Sequence, residues 1–123
     1  MKVLTVRQPW AHLIAAGGKD IENRTWTTRY RGPVLIHASQ KIQGEDIAWV
    51  RQEHGINLTS AKLRVGVTIC IVDLTDVVTD HKSRWFEGPY GFVLKNARAV
   101  PNVWMRGQMG FFDVPDHVKR QIR

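Results

Sequence analysis

The chain of 123 residues has one cysteine, Cys70, which excludes an internal disulfide and a cysteine-based zinc site. No apolar run approaches the roughly 18 residues needed to cross a bilayer. The opening MKVLTVRQPW reaches Arg7 and Pro9 too soon for the apolar core of a secretion signal. These absences predict a reducing, cytoplasmic setting and no membrane partner. Five histidines (His12, His37, His54, His81, His117) are scattered without metal-ligand spacing, so no structural metal is expected. There is no P-loop, no GxGxxG, no nucleophile elbow and no CxxC pair. No repeat, low-complexity tract or compositional break divides residues 1–123, which read as one domain able to bury a single core. Nothing marks an oligomer seam.

Acidic residues are also few. There are 11 against 18 lysines and arginines, for a formal charge of +7 and a pI near 10.1. Such an excess favours phosphate-bearing partners through counterion release. Tryptophan, by contrast, is plentiful. Trp10, Trp26 and Trp85 lie close in sequence to Arg7, Arg24 and Arg84, a pairing that suits base stacking beside phosphate contact. The competing role for each tryptophan is a partly buried core residue.

Read in order, Lys2 to Val6 is a short strand by its β-branched content. Pro9 opens a short helix with Trp10, Leu13 and Ile14 on one face, and Gly17-Gly18 ends it. Lys19 to Trp26 reads as an irregular strand, Thr27 to Gly32 as a polar loop, and Pro33 to Ala38 as a mostly buried strand. Gly44 to His54 is a second helix, with Glu45 and Asp46 in its first turn, Ile47 and Val50 as a thin apolar face, and Gly55 as its stop. Arg64 to Val78 carries the longest strand signal. Val65, Val67, Ile69 and Ile71 alternate, and Cys70 and Val72 make the second face apolar too, which predicts a central position with an inert thiol. Asp73 continues the Val65–Ile71 row as a carboxylate. A charged loop, Asp80 to Pro89, leads to a strand over Tyr90 to Ala97. Pro101 to Phe112 is a loop running into a final strand, and the tail from Pro115 is a basic helical turn. Several strands with two short helices, outside a βαβ rhythm, predict a small α+β barrel.

The stretch from Gly17 to Ser39 carries the chemistry. Lys19, Glu22 and Arg24 admit two readings: a surface ion-pair network of little consequence, or a small polar site. In the second, Lys19 stabilises an anion, Glu22 handles a proton or accepts a hydrogen bond, and Arg24 holds a phosphate or orients Glu22. An extended chain would put Glu22 and Arg24 on one face and Lys19 on the other, so a shared site needs a turn or bulge between them. Arg7, Arg29 and Arg31 are expected to meet phosphates, while Trp10, Trp26 and Tyr30 stack on bases. Gln8, His37 and Ser39 complete the expected nucleic-acid-contacting set. His37 has the alternative role of a packed core histidine, and Ser39 that of a turn former.

These residues resemble the ASCH domain family. Its GxKxxExR pattern stands complete as Gly17, Lys19, Glu22 and Arg24, and VRQPW, RYRGPVLIHAS, GFVLKNAR and GQMGFF fit the surroundings. The resemblance spans essentially the whole chain and matches a single-domain bacterial or phage type. It implies a small PUA-like β-barrel with flanking short helices, and a basic cleft lined by the pattern that binds single-stranded RNA. Two activities accompany the resemblance: ribonuclease action, and deacetylation of N4-acetylcytidine by a lysine, a threonine and a distant glutamate. Lys19 matches that lysine, but Glu22 stands where the threonine is expected, and a carboxylate does not replace a hydroxyl nucleophile. Asp73 is the candidate for the distant carboxylate. No cofactor is required, and a nuclease activity would need at most Mg²⁺ on Glu22 or Asp73.

Overall fold

The longest run of β-branched residues becomes the middle of the sheet. A computed structural model describes residues 1–122, in which the strands are β1 (Lys2–Gln8), β2 (Ile21–Arg24), β3 (Gly32–Ile42), β4 (Thr68–Val78), β5 (Tyr90–Ala99) and β6 (Phe111–Asp113). They form one six-stranded sheet in the order β2-β5-β4-β3-β1-β6. All neighbours are antiparallel except β1 and β3, which run parallel with Leu4 opposite Ile36. The crossover between those two strands carries helix α1 (Trp10–Ala16) and β2. A second helix, α2 (Gly44–His54), follows β3, and a third, α3 (Asp116–Gln121), closes the described chain.

β4 takes the predicted central place, but begins at Thr68 rather than Arg64. Val65 is exposed. The more deeply buried row is Thr68, Cys70, Val72 and Leu74, while Ile69 and Ile71 are half-buried. Burial pushes the Cys70 thiol up to about 12. β3 is longer than expected, and both of its faces are covered as its apolar run predicts. Val34, Ile36 and Ala38 enter the main core with Leu4, Val6 and Phe92; Leu35 enters a second core with Val3, Val103 and Met105.

The expected closed barrel is not formed: among the described residues no ladder joins the edge strands β2 and β6. The sheet instead curls, so that side chains from distant strands meet inside. Phe92 of β5 stacks on Phe111 of β6 at 6.0 Å between ring centroids, and Trp26 stands edge-on to both, at 5.1 and 5.5 Å. Aromatic filling in offset and T-shaped contacts holds the curl without backbone pairing. No helix among the described residues is long and apolar enough to cross a membrane.

Candidate functional site

The site begins at the end of α1. The backbone N–H groups of Gly17 and Lys19 both donate to the carbonyl of Leu13, at 2.9 and 3.0 Å. Between them Gly18 takes a left-handed φ of +73°. A Cβ on Gly17 would lie 2.6 Å from Leu13 Cδ2, so the close return of the chain needs a glycine there. This reversal delivers Lys19 to the site from the end of α1; it lies before Lys19, not between Lys19 and Glu22 where a turn was expected.

Lys19 and Glu22 are 5 % and 8 % exposed, so their charges must be matched. Lys19 Nζ donates to Glu22 Oε1 at 2.9 Å and to the Ile21 carbonyl. Arg24 donates to Glu22 Oε2 through Nε at 3.1 Å and approaches it through Nη2 at 3.0 Å, while Nη2 also donates to the Thr5 carbonyl at 3.0 Å. Burial alone would raise the Glu22 pKa, but Lys19 and Arg24 together outweigh it and hold the carboxyl below its ordinary value. Glu22 is therefore an ionised acceptor at neutral pH.

Above this triad opens a cleft of about 740 Å³. Four of the five tryptophans line it: Trp10, Trp26, Trp49 and Trp85. Helix α2 supplies one wall, since Val50 alone in it is fully buried and Trp49 and His54 are left to face the cleft. Trp10 meets Trp49 edge-on at 5.9 Å, Trp49 meets His54 at 5.3 Å, and His54 stacks on Trp85 at 3.9 Å. Desolvation, aided by the nearby Arg84, lowers the His54 pKa, and its buried Nδ1 has no hydrogen-bond partner among the described residues. Asn23, between the triad residues, clamps the opposite rim: its amide donates to the Trp85 carbonyl at 2.9 Å and accepts from Glu87 and Gly88 at 2.8 and 3.0 Å. Arg7 and Asp46 close the rim as an ion pair of 3.0 Å.

Of the residues singled out in the sequence, Lys19, Glu22, Arg24, Arg7, Trp10, Trp26, Trp85 and Ser39 line this cleft. The others do not. Gln8 is buried and structural, donating to the Arg64 carbonyl at 2.7 Å and accepting from the His12 N–H at 2.9 Å, which ties down the start of α1. His37 is the core histidine of the alternative reading: buried, with Nδ1 3.1 Å from Thr5 Oγ1 and Nε2 2.9 Å from the Met105 carbonyl. Desolvation lowers its pKa. Because a carbonyl only accepts, Nε2 carries the proton and Thr5 donates to Nδ1. Tyr30 packs on Phe111 and donates to the Pro33 carbonyl at 2.6 Å. Arg31 is spent on the Thr28 and Tyr30 carbonyls, and exposed Arg29 lies outside the cleft. Asp73 is held by Arg98 at 3.2 Å and Asn96 at 3.2 Å, also outside the cleft.

Trp49, His54, Asp46 and Lys41 were not legible as site residues. For the three on α2 the available signal was a helix too polar to be a core element, which had to present Trp49 to something else; Lys41 stands near the end of β3. The cleft is also less basic than expected: four cations (Arg7, Lys19, Arg24, Lys41) face three carboxylates (Glu22, Asp46, Glu87). Mg²⁺ fits poorly here. Both Glu22 oxygens are held by cations, Asp73 is paired elsewhere, and the described residues contain no cluster of three metal-ligating side chains.

Residues 4–105 match the ASCH domain family, and the chain belongs to it. The match contains the triad and its glycine turn. A stretch of 38 residues is 47 % identical to the human protein Activating signal cointegrator 1. That alignment covers 31 % of this chain and 6 % of the human protein, so the likeness is confined to a small part of the relative.

Proposed function

We propose that the protein binds single-stranded RNA by taking an unpaired base into the tryptophan-lined cleft. The observation that carries this reading is the convergence of Trp10, Trp26, Trp49 and Trp85 on one cleft floored by a buried ion triad. Its volume falls in the range of small-ligand sites, about 300–1,000 Å³. Aromatic faces accept any base, and stacking contributes about 1–3 kcal/mol per base. Glu22 accepts from base amino or imino groups, while Arg24 and Lys19 keep its charge in place. The near balance of charge inside the cleft leaves the phosphates to cations on its rim, of which Lys41 has no ion-pair partner among the described residues.

Hydrolysis of RNA or of a modified nucleoside is the second reading. Lys19 at the floor is suited to stabilising a developing negative charge. Against it, a general acid or base works best with a pKa near the operating pH, and Glu22 is shifted the other way. Binding is therefore the stronger reading.

The test is anisotropy of labelled single-stranded RNA across a salt series, with Lys19→Ala alongside and product analysis of each mixture with and without Mg²⁺. Affinity that falls steeply with salt and collapses in the variant, with RNA left whole, is the expected result. A flat salt dependence overturns RNA binding; cleavage by the parent alone replaces it with hydrolysis.

A further inference from the structure

Trp104 stands outside the cleft and is 60 % exposed, yet its backbone is fixed on every side. It bridges Val67, its carbonyl accepts from His117 Nε2 at 3.3 Å, and the next residue, Met105, donates to the Gly66 carbonyl at 3.1 Å. The indole lies against Gly66, where a Cβ would come 3.4 Å from the ring, and Gly66 holds a left-handed φ of +73°. A large aromatic on a rigid backbone, left in solvent with no covering side chain, is a preformed platform.

The two segments that meet at it carry no acid. No aspartate or glutamate occurs between Ile56 and Val72, nor between Gly88 and Phe112. The Val67–Trp104 bridge brings these two segments together. Exposed Lys62, Arg64 and Arg106 belong to them and make no ion pair among the described residues. An open depression of about 480 Å³, lined by Lys62, Arg64 and Val65 among others, runs up to Val67. Gln40, whose Cγ lies beside the same spot on Gly66, stands in β3 between Ser39 and Lys41, both in the cleft wall. The platform and the cleft thus lie on the two faces of one strand end.

We infer that Trp104 and the cations around it form a second, outer subsite that stacks a further base of a single-stranded RNA and holds its phosphates. This rests on the RNA reading of the cleft. It also answers where the phosphates go, because the cleft itself is almost neutral whereas this patch carries uncompensated cations. Aromatic platforms set in a basic track are the usual means of holding single strands without sequence preference.

The experiment compares the parent, Trp104→Ala and Trp104→Phe on a trinucleotide and on a twelve-nucleotide single-stranded RNA, with sedimentation of each protein alone. The expected result is a loss of about five- to a hundredfold for Trp104→Ala on the long RNA, no change on the short one, and recovery by Trp104→Phe. Equal affinity for the long RNA in all three proteins overturns the subsite and leaves the cleft reading standing. Equal losses on both lengths overturn it as well, since the change then acts through the cleft. A parent dimer that becomes monomeric in Trp104→Ala shows a self-association face instead. Failure of the parent to bind either RNA removes the cleft reading and the subsite together.

Discussion

The two halves of the stretch from Gly17 to Ser39 use the same residue types to opposite ends. In the first half Lys19, Glu22 and Arg24 are drawn inward by a glycine turn and must neutralise one another. In the second half Arg29 and Arg31 stay in solvent, and Arg31 reaches only backbone carbonyls and, at 3.7 Å, Asp76. An arginine in solvent is free to find any partner and specifies little. A buried lysine whose counter-charge is fixed at 2.9 Å has one arrangement, and the cleft is shaped around it.

The sharpest way to break that contrast is Glu22→Gln. It leaves the Lys19 ammonium buried beside a neutral amide and is expected to cost about 3–5 kcal/mol of stability, read from denaturant midpoints. Arg31→Ala, measured beside it, should leave the midpoint almost unmoved, because exposed pairs contribute about 0–1 kcal/mol. Similar midpoints in both variants would erase the distinction between the two halves.

Acid sharpens the same comparison. The folded-state pKa of Glu22 lies below its ordinary value of 4.5. Its pairing is therefore fully stabilising above that pH and is lost as pH falls through the folded value. His37 is a base held below 6.5 by burial. The unfolded chain takes up its proton first, so stability also falls as pH drops below 6.5. The parent should show an acid loss that begins below pH 6.5 and steepens below 4.5, whereas Glu22→Gln should keep the first limb and lack the second. A second limb that persists in Glu22→Gln would assign it to another carboxylate.

Smaller effects follow on binding. Trp49 is already 36 % exposed on α2, so Trp49→Ala should leave the fold intact yet weaken RNA by about 1–3 kcal/mol if a base stacks there. Unchanged titrations would remove α2 from the binding surface. The smallest change is expected from Arg29→Ala, which should leave both affinity and its salt slope close to the parent's; a slope reduced by about one would place Arg29 on a phosphate after all.

Much of this fold was legible because burial writes itself into spacing. The α2 bounds follow from Glu45 and Asp46 at one end and Gly55 at the other, and the central place of β4 from apolar residues on both faces. The triad was legible as a pattern, but the reversal that accompanies it lies at Gly17–Gly18, before Lys19, and not between Lys19 and Glu22 as expected. Periodicity tells whether a side chain is covered, however, and not by what. Tyr30 and Trp26 read alike in the sequence and both pack beside Phe111, yet the Tyr30 hydroxyl is tied to Pro33 and only Trp26 also lines the cleft. Trp49 and His54 sit on a helix whose sequence neighbours give no hint of Trp10 and Trp85, because those contacts join elements far apart along the chain. The closed barrel failed for a related reason: strand count was readable, but the meeting of β2 and β6 depends on how far aromatic packing curls the sheet.

Cys70 gives the molecule an internal clock. Its thiol lies fully buried in the central strand and is pushed up to about 12, so it is neither accessible nor ionised while the sheet is intact. An alkylating reagent can reach it only when the core packed on that face of β4, α1 included, opens, and it is the only thiol in the chain. The rate at which the native protein is labelled therefore counts openings of the main core, while frayed ends and a moving α2 leave no mark. The single cysteine thus separates a ligand that tightens the cleft locally from one that stabilises the whole sheet: only the second slows its modification.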